Sequence, residues 1–365
     1  KVCYMEALRA GTTTFSDSNV IPEQTASFVE KLGVRACLTK EIRDACYKIY
    51  APSELYEFDS NMGSQSLQEG LEFFDRWNGC AGGRIKVFLG PQGADFCSPE
   101  LLAQIQTLAK VRQTKIHMHV QQGSRETAQI MQRYGKRPIA WLNEIGYLNE
   151  RLLAVHLTDA NDDEVRQMAC SGASMIACPG SIGIIDGIVP PSVVFQDAGG
   201  IVALGSDQAP GNNCHNMFNE MKLVALFNKI KYQDPEKLPA WRALRMATID
   251  GAKALGLDEL VGSLRAGKRA DFIAVDLTAP SMMPVYTAPM RNIVPNLVYS
   301  ARGSEVSLVC VDGKLLLAGG KVLTADEPTI IAEAQACVPD LAARAAKAFW
   351  EVNGTNAALM REDKL

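Results

Sequence analysis

The chain has 365 residues, of which 47% are hydrophobic and 21% charged, and its formal net charge is −4. These fractions are typical of a globular protein, so they exclude a disordered or fibrous chain. The slight acidic excess argues against a surface that neutralises nucleic-acid phosphates, and no apolar run is long enough for a transmembrane helix. The ten cysteines include no CxxC pair, so we expect reduced thiols and a cytoplasmic protein.

Short β-branched runs alternate with amphipathic stretches up to about residue 255. Strands are predicted at 12–15, 34–38, 85–89, 115–120, 152–157, 174–178 and 201–205. Helices are predicted between most of them, at 22–32, 66–77, 99–111, 128–134, 162–170 and 216–229. Strands separated by helices form parallel sheets, and seven such units in this length are on the scale of a (β/α)8 barrel.

Closing a barrel of this kind requires one strand more than the sequence provides. Lys1 falls inside a helical pattern, so we expect that an upstream segment carrying the first strand is missing from this sequence. The predicted fold is therefore α/β, a (β/α)8 TIM-type barrel over residues 1–257 whose first strand is absent.

Beyond residue 257 the pattern changes from alternating strands and helices to strands alone. Strands are predicted at 271–276, 307–311 and 314–318, and Asp312-Gly313 between the last two is a strong hairpin signal. We therefore predict a small β-sandwich domain over residues 258–327. The remaining segment, 328–365, is predicted to be a C-terminal helix at 329–352 and a tail.

Residues that can bind a metal stand at the ends of predicted strands. His117 and His119 lie two residues apart in one strand, so their side chains face the same side of the sheet. His156 ends the next strand, and Asp207 follows the seventh. Barrels of this type carry their catalytic groups at the carboxyl ends of the strands. Two imidazoles and a carboxylate suit zinc, iron, cobalt or manganese, and Asp207 could accept the proton of a water activated by that ion.

Each of these residues also has a purely structural interpretation. A strand histidine is often a hydrogen-bonded core residue, and an aspartate after a strand is often a helix cap or turn former. His215, near a predicted helix start, is interpreted as a surface or supporting residue. The arrival of His119, His156 and Asp207 in barrel order, all at the outgoing loops, favours the metal site.

Several long segments follow the pattern of one family. KIHMHVQQ is similar to an IHxHxAE strand, LLAVHLTDANDDEV to AAHCVHLTEEEI, and ACPGSIG to HNPxSN. GSDQAPGNNCHNMFNEMK is similar to GTDGAASNNxxDMFEEMR, and GSLRAGKRADFIAVDL to GSIEPGKxADLVVLDL. On these segments the chain resembles the metal-dependent amidohydrolase superfamily, in the branch of cytosine-, guanine- and adenosine-type deaminases and of triazine, phenylurea and thiocarbamate hydrolases.

The resemblance implies a role for each of three residues. His119 matches the metal ligand of the family's fifth strand, and His156 matches a sixth-strand histidine that binds metal or hydrogen-bonds the attacking water. Asp207 matches the eighth-strand aspartate, which touches the metal and shuttles the water proton. The family's first-strand HxH ligands are not in this sequence. Lys86 lies mid-strand, where it cannot bridge two metals, so we expect one divalent transition ion, zinc first.

Three departures from the family pattern bear on the substrate. Gln122 stands where ring deaminases usually carry a glutamate that protonates a ring nitrogen, and glutamine cannot deliver a proton. Gln92 replaces the histidine of the fourth-strand PHAP pattern, and Cys178 replaces the asparagine of the seventh-strand block. Taken as substrate-binding residues, these three predict a polar but uncharged wall.

The predicted activity is hydrolysis of a non-peptide C–N bond in a neutral amide, urea or carbamate-like molecule by metal-activated water. The alternative is hydrolytic deamination or dechlorination of a nitrogen heterocycle, such as a nucleobase or an s-triazine. A minor alternative is a non-catalytic barrel that has lost its metal. The expected partner is a small-molecule substrate, with no nucleic acid and no membrane, and the resemblance implies a homo-oligomer, a dimer or larger.

Overall fold

A seven-stranded parallel sheet, curled into a half-barrel, forms the centre of the computed structural model, which describes residues 1–364. The strands neighbour one another in chain order, and every pairing is parallel. They are β1 (Thr14–Asn19), β2 (Arg35–Ile42), β3 (Ile85–Pro91), β4 (Ile116–Val120), β5 (Leu152–His156), β6 (Ser174–Ala177) and β7 (Ile201–Leu204). Each strand predicted before residue 255 is confirmed, with ends that differ by a few residues.

Helices connect successive strands, as the alternating pattern predicts. They are α1 (Val2–Arg9), α2 (Pro22–Leu32), α3 (Ser60–Trp77), α4 (Cys80–Gly83), α5 (Pro99–Val111), α6 (Ser124–Tyr134), α7 (Pro138–Glu144), α8 (Asp162–Cys170), α9 (Pro179–Ile185), α10 (Ser192–Asp197), α11 (Ala209–Asn212), α12 (Met217–Tyr232), α13 (Ala240–Met246) and α14 (Ile249–Ala254). A local sequence signal explains where α8 begins, because Asn161 and Glu164 form a capping box there. The helices that the sequence missed, such as α7 and α10, are too short for a 3.6-residue period to show.

Alternating side chains along the strands build two apolar layers. On β5, Leu153 and Val155 belong to the cluster inside the half-barrel, whereas Leu152 and Ala154 belong to the cluster between strands and helices. This alternation follows from the two-residue period of a strand. The inner cluster also contains residues of α14 and of the segment after it, so the half-barrel is filled rather than open.

The strands after residue 257 form one four-stranded antiparallel sheet in the order β11-β10-β9-β8, with the short helix α15 (Ile293–Tyr299) between β8 and β9. Its members are β8 (Phe272–Val275), β9 (Val306–Val311), β10 (Lys314–Ala318) and β11 (Lys321–Val322). Asp312 and Gly313 have φ of 52° and 80°, the positive values that a tight hairpin turn of this type requires. The predicted hairpin is therefore confirmed.

A buried ion pair joins the small sheet to the half-barrel. Arg35, at the start of β2, donates two hydrogen bonds to the Asp271 carboxylate at 2.8 and 3.0 Å. Asp271 also accepts from the Asp312 backbone at 2.8 Å, which holds the hairpin in the same contact. The side chains of Arg35 and Asp271 are 4% and 2% exposed.

The C-terminal segment contains three helices, two across the predicted helix at 329–352 and one in the predicted tail. They are α16 (Glu327–Ala336), α17 (Val338–Val352) and α18 (Thr355–Arg361), preceded in the chain by the short α15 (Ile293–Tyr299). Pro339, the second residue of α17, has no backbone N–H to donate to the preceding turn, so the predicted single helix divides just before it. Among residues 1–364, no helix combines the length and apolar character needed to cross a bilayer.

Candidate active site

The carboxyl ends of β4, β5 and β7 define one end of the half-barrel, called the mouth below. There the rings of His119 and His156 lie nearly parallel, at 15°, with their centroids 5.4 Å apart. His117 lies on the same strand as His119, with ring centroids 6.5 Å apart, as the strand period predicts. The mouth therefore brings together histidines from two neighbouring strands.

The orientation of the His119 ring is set by the neighbouring chain segment after β3. Its Nδ1 lies 2.6 Å from the carbonyl oxygen of Gln92, and this geometry suits a ring that donates from Nδ1. Nε2 then keeps its lone pair. Metal-binding histidines are commonly held in this way, because the hydrogen bond fixes both tautomer and ring orientation.

His156 is a buried imidazole whose Nδ1 has no hydrogen-bond partner within the described chain. Burial lowers the pKa of His156 to about 4, with the charge of His119 acting in the same direction and Asp207 opposing it. Burial also lowers the pKa of His117 to about 3. A neutral ring offers a lone pair to a metal, and an unpaired buried nitrogen is otherwise costly. The imidazoles present thus fit a transition-metal ion.

Asp207 lies beyond the end of β7 in the left-handed conformation, with φ of 61°. Its Oδ2 accepts a hydrogen bond from Ser181 Oγ at 2.6 Å, and its Oδ1 accepts one from the Gln208 backbone at 2.7 Å. Ser181 is completely buried in α9. The turn after β6 therefore holds the carboxylate that follows β7, a contact that the sequence analysis did not single out.

The three predicted ligands do not form a finished metal cage. Within residues 1–364, no three histidine, cysteine, aspartate or glutamate side chains are grouped closely enough to hold an ion by themselves. His119 and His156 face one another, whereas the Asp207 carboxylate is bonded to Ser181 and to its own loop. The described chain thus provides two adjacent imidazoles and one separately anchored carboxylate.

Gln92, predicted to contact substrate, is half-buried and its side chain is already engaged. Its Oε1 accepts a hydrogen bond from Arg43 Nη1 at 2.8 Å. The Arg43 guanidinium lies between the rings of Tyr47 and Phe96, at 4.2 and 4.7 Å from their centroids. Since the Gln92 carbonyl also binds His119, the residue supports the predicted ligand His119 and not a substrate.

The other two predicted substrate residues differ in their surroundings. Gln122 is exposed, while its backbone is fixed by Glu126 and by Thr158 at 2.9 and 2.8 Å. Cys178 is buried in the apolar cluster inside the half-barrel, and burial raises the pKa of its thiol. The structure therefore leaves the Gln122 side chain free at the mouth and places Cys178 in the packed interior.

Glu126 is a buried carboxylate at the mouth that sequence reasoning missed. Its two oxygens accept hydrogen bonds from the backbone of Gln121 and Gln122, both at 2.9 Å, so it fixes the loop after β4. Burial, reinforced by the charge of Asp95, raises the pKa of Glu126 to about 8. The signal that could have revealed it is its place in the first turn of α6, where a glutamate can reach back to free N–H groups.

Comparison with known proteins agrees with this architecture. Residues 1–316 match the Amidohydrolase family model. A 5'-deoxyadenosine deaminase of Methanosarcina mazei is 34% identical over 340 residues, which cover 93% of this chain and 74% of that protein. A 5-methylthioadenosine/S-adenosylhomocysteine deaminase of Desulforudis audaxviator is 35% identical over 331 residues, covering 91% of this chain and 73% of that protein.

Solved structures show the same fold. An adenosine deaminase from Xanthomonas campestris with bound zinc has a TM-score of 0.82 at 28% identity, covering 92% of this chain and 72% of that protein. An atrazine chlorohydrolase from Arthrobacter aurescens complexed with zinc has a TM-score of 0.81 at 22% identity, covering 93% and 75%. Members of the matched family are metal-dependent. The chain belongs to the amidohydrolase family, and it is a hydrolase of carbon–nitrogen bonds other than peptide bonds.

Proposed function

We propose that this chain is a hydrolytic deaminase of a nitrogen heterocycle, acting on an adenosine-type nucleoside whose 5' position carries no free hydroxyl. The observation that carries the proposal is the position of His119, His156 and Asp207 at strand ends, in a chain that aligns over 93% of its length with a 5'-deoxyadenosine deaminase. The sequence alone favoured a neutral amide or urea because of Gln122. The similarity to deaminases favours the heterocycle.

In this proposal His119, His156 and Asp207 hold one divalent transition ion. Zinc is the first candidate because imidazole and carboxylate ligands suit it and because two similar structures contain it. When bound, such an ion lowers the pKa of a water and polarises the group under attack. Asp207 accepts the water proton, and the hydroxyl of Ser181, donating to Oδ2, orients its carboxylate.

The reaction exchanges an amine for an oxygen on a ring carbon. The water oxygen forms a bond to that carbon, the bond to the exocyclic nitrogen breaks, and Asp207 returns its proton to the leaving amine, which departs as ammonia. His156 either holds the ion or hydrogen-bonds the developing oxyanion. Gln122, exposed at the mouth, can donate a hydrogen bond to a ring nitrogen without transferring a proton.

The second candidate is hydrolysis of a neutral amide, urea or carbamate-like molecule. Gln122 favours it, because such substrates have no ring nitrogen for a glutamate at this position to protonate. The Gln122→Glu variant separates the two candidates. A rise in ring deamination would favour the heterocycle, whereas loss of the native activity without such a rise would favour the neutral amide or urea.

The direct test combines metal content with a substrate panel. Purified protein, loaded with zinc, is assayed for ammonia release from 5'-deoxyadenosine, 5'-methylthioadenosine and cytosine, and for hydrolysis of a phenylurea. We expect bound metal that is lost in His119→Ala, and ammonia release from the adenosine compounds. Turnover of the phenylurea alone would select the second candidate. Metal-bound, folded protein that turns over none of these compounds would overturn the proposal.

A further inference from the structure

Behind Asp207 lies a second carboxylate, that of Glu220, which is paired with no cation among residues 1–364. Glu220 belongs to α12 and is completely buried. It accepts hydrogen bonds from the Gly180 backbone at 3.0 Å, from Asn212 Nδ2 at 3.0 Å and from Asn219 Nδ2 at 3.4 Å. All three donors are neutral. A buried carboxylate held only by neutral donors is costly to keep in a fold, so its position needs an explanation beyond packing.

One set of contacts leads from Glu220 to Asp207 through the turn after β6. Glu220 holds the backbone N–H of Gly180, and the next residue, Ser181, donates its hydroxyl to the Asp207 carboxylate at 2.6 Å. A side chain on Gly180 would disturb this arrangement. Its Cβ would lie 2.6 Å from Asn212 Oδ1 and 2.7 Å from Glu220 Oε1, closer than such atoms approach.

A second set of contacts reaches the backbone beside Asp207. The amide nitrogen of Asn212 donates to Glu220 Oε1 at 3.0 Å and to the carbonyl oxygen of Ser206 at 2.7 Å. Ser206 directly precedes Asp207, whose left-handed φ of 61° is uncommon for a residue other than glycine. Glu220 therefore contacts both loops that meet at Asp207.

We propose that Glu220 is a positioning residue, which joins the loops after β6 and β7 and thereby holds the Asp207 carboxylate in its reactive orientation. The inference rests on the proposed function for the chemistry of Asp207, and on the contacts above for the geometry. Glu220 itself contacts no reacting atom. Its removal is expected to lower the rate of the chemical step while leaving substrate binding and the rest of the fold in place.

The test variant is Glu220→Gln, which keeps the volume and replaces one acceptor oxygen with an amide that must face a donor. The matched control is Glu305→Gln, a buried glutamate that accepts from the Arg302 backbone at 2.9 Å and from the Ser281 hydroxyl, and from no residue of the loops after β6 and β7. We expect kcat to fall at least about tenfold in Glu220→Gln with KM unchanged, and neither to change in the control. Hydrogen–deuterium exchange should accelerate in segments 178–182 and 205–213 of the test variant only.

A double variant distinguishes positioning from a general loss of stability. If Glu220 acts on Asp207 partly through Ser181, Glu220→Gln and Ser181→Ala together lower kcat by less than the product of their separate effects. Independent, multiplicative losses, or an equal loss in the Glu305 control, would overturn the inference.

The exchange measurement keeps this inference separate from the proposed function. If the wild-type protein turns over no substrate, the proposed function fails, and the absence of local acceleration in Glu220→Gln would then overturn the positioning role on its own. If Glu220→Gln does not fold, Asn212→Ala serves instead, because it removes the contacts with Ser206 and Glu220. Hydrogen–deuterium exchange in Asn212→Ala must then accelerate in segment 205–213. Unchanged exchange there would overturn the inference.

Discussion

The two ends of the half-barrel are built in contrasting ways. At the mouth, Gln121, His156, Leu157 and Asp207 have positive φ values of 45°, 81°, 55° and 61°, and His156 has an unpaired buried nitrogen. At the opposite end, Arg35 and Asp271 satisfy one another through two hydrogen bonds in an almost closed environment. Residues in such backbone conformations each cost about 1–3 kcal/mol. Asp312, at the opposite end, also has a positive φ, of 52°, so the ends differ chiefly in the unpaired nitrogen of His156 and the satisfied pair of Arg35 and Asp271.

The difference indicates that the mouth serves chemistry and that the junction with the small sheet serves stability. Substitutions at the mouth should change activity more than stability, because strained residues contribute little to the fold. Substitutions at the junction with the small sheet should do the reverse. Two predictions test this contrast directly, and two more test the packing and the titration of residues at the mouth.

The strongest test is Asp207→Asn. We expect kcat to fall by about 100-fold or more, as for loss of a general base, because an amide cannot accept the water proton. The free energy of unfolding should be unchanged or slightly higher, since asparagine tolerates the left-handed conformation well. The control is Asp197→Asn, an exposed aspartate paired with Arg242 at 3.1 Å. An equal loss of kcat in both variants would contradict the contrast.

At the opposite end, Arg35→Ala leaves the buried Asp271 carboxylate without its partner. Breaking a buried pair in this way costs about 3–5 kcal/mol of unfolding free energy, measured by urea denaturation. Arg269→Ala is the matched control, because its pair with Asp312 is more exposed, at 57% and 27%. Exposed pairs are worth about 0–1 kcal/mol. A small effect of Arg35→Ala would show that the junction does not depend on this pair.

Gly180→Ala tests how tightly the loops behind Asp207 are packed. The added methyl group would overlap Asn212 and Glu220, and overpacking of this kind costs about 1–3 kcal/mol of unfolding free energy. Gly123→Ala is the control, because no atom lies within 4 Å of its added Cβ and its φ of −175° suits any residue. A change smaller than about 0.5 kcal/mol in both variants would mean that the loops can yield.

The fourth prediction concerns the change of stability with pH. Burial raises the pKa of Glu126 from 4.5 to about 8, with Asp95 and Asp159 contributing, so the folded state keeps a proton that the unfolded chain has released. Glu126 therefore lowers wild-type stability as pH rises between these values. Glu126→Gln lacks this titration, so its stability relative to wild type should improve from about pH 5 to about pH 8. If the free energy of unfolding varies with pH in the same way in Glu126→Gln and in wild type, the raised pKa of Glu126 is refuted. The control is Glu236→Gln, because Glu236 is exposed.

Much of the fold was predictable because its signals are local. The strands of the half-barrel are short β-branched runs, and the hairpin at Asp312-Gly313 follows from residues that tolerate positive φ. The predicted helix at 329–352 was wrong in its continuity, since its apolar pattern runs through Pro339 while the backbone divides there. Short helices such as α10 carry no complete period and were missed.

The candidate site, like the fold, was predictable only where its signals are local. The strand period predicts that His117 and His119 share a face, and strand order predicts that His156 comes beside them. The anchoring of Asp207 by Ser181 and the hold of Glu220 on two loops join segments that are distant in the chain. No local pattern predicts such contacts.

The amino-acid sequence by itself determined the type and order of the main elements, the family resemblance and the residues at the strand ends. Periodicity and turn chemistry are properties of neighbouring residues, so they can be read along the chain. Only the tertiary structure decided which side chains support the site: Gln92 is bound by Arg43, Cys178 is packed inside the half-barrel, and Glu220 lies behind Asp207. These outcomes depend on burial and on hydrogen bonds between separate loops, which exist only once the sheet has curled and the loops have met.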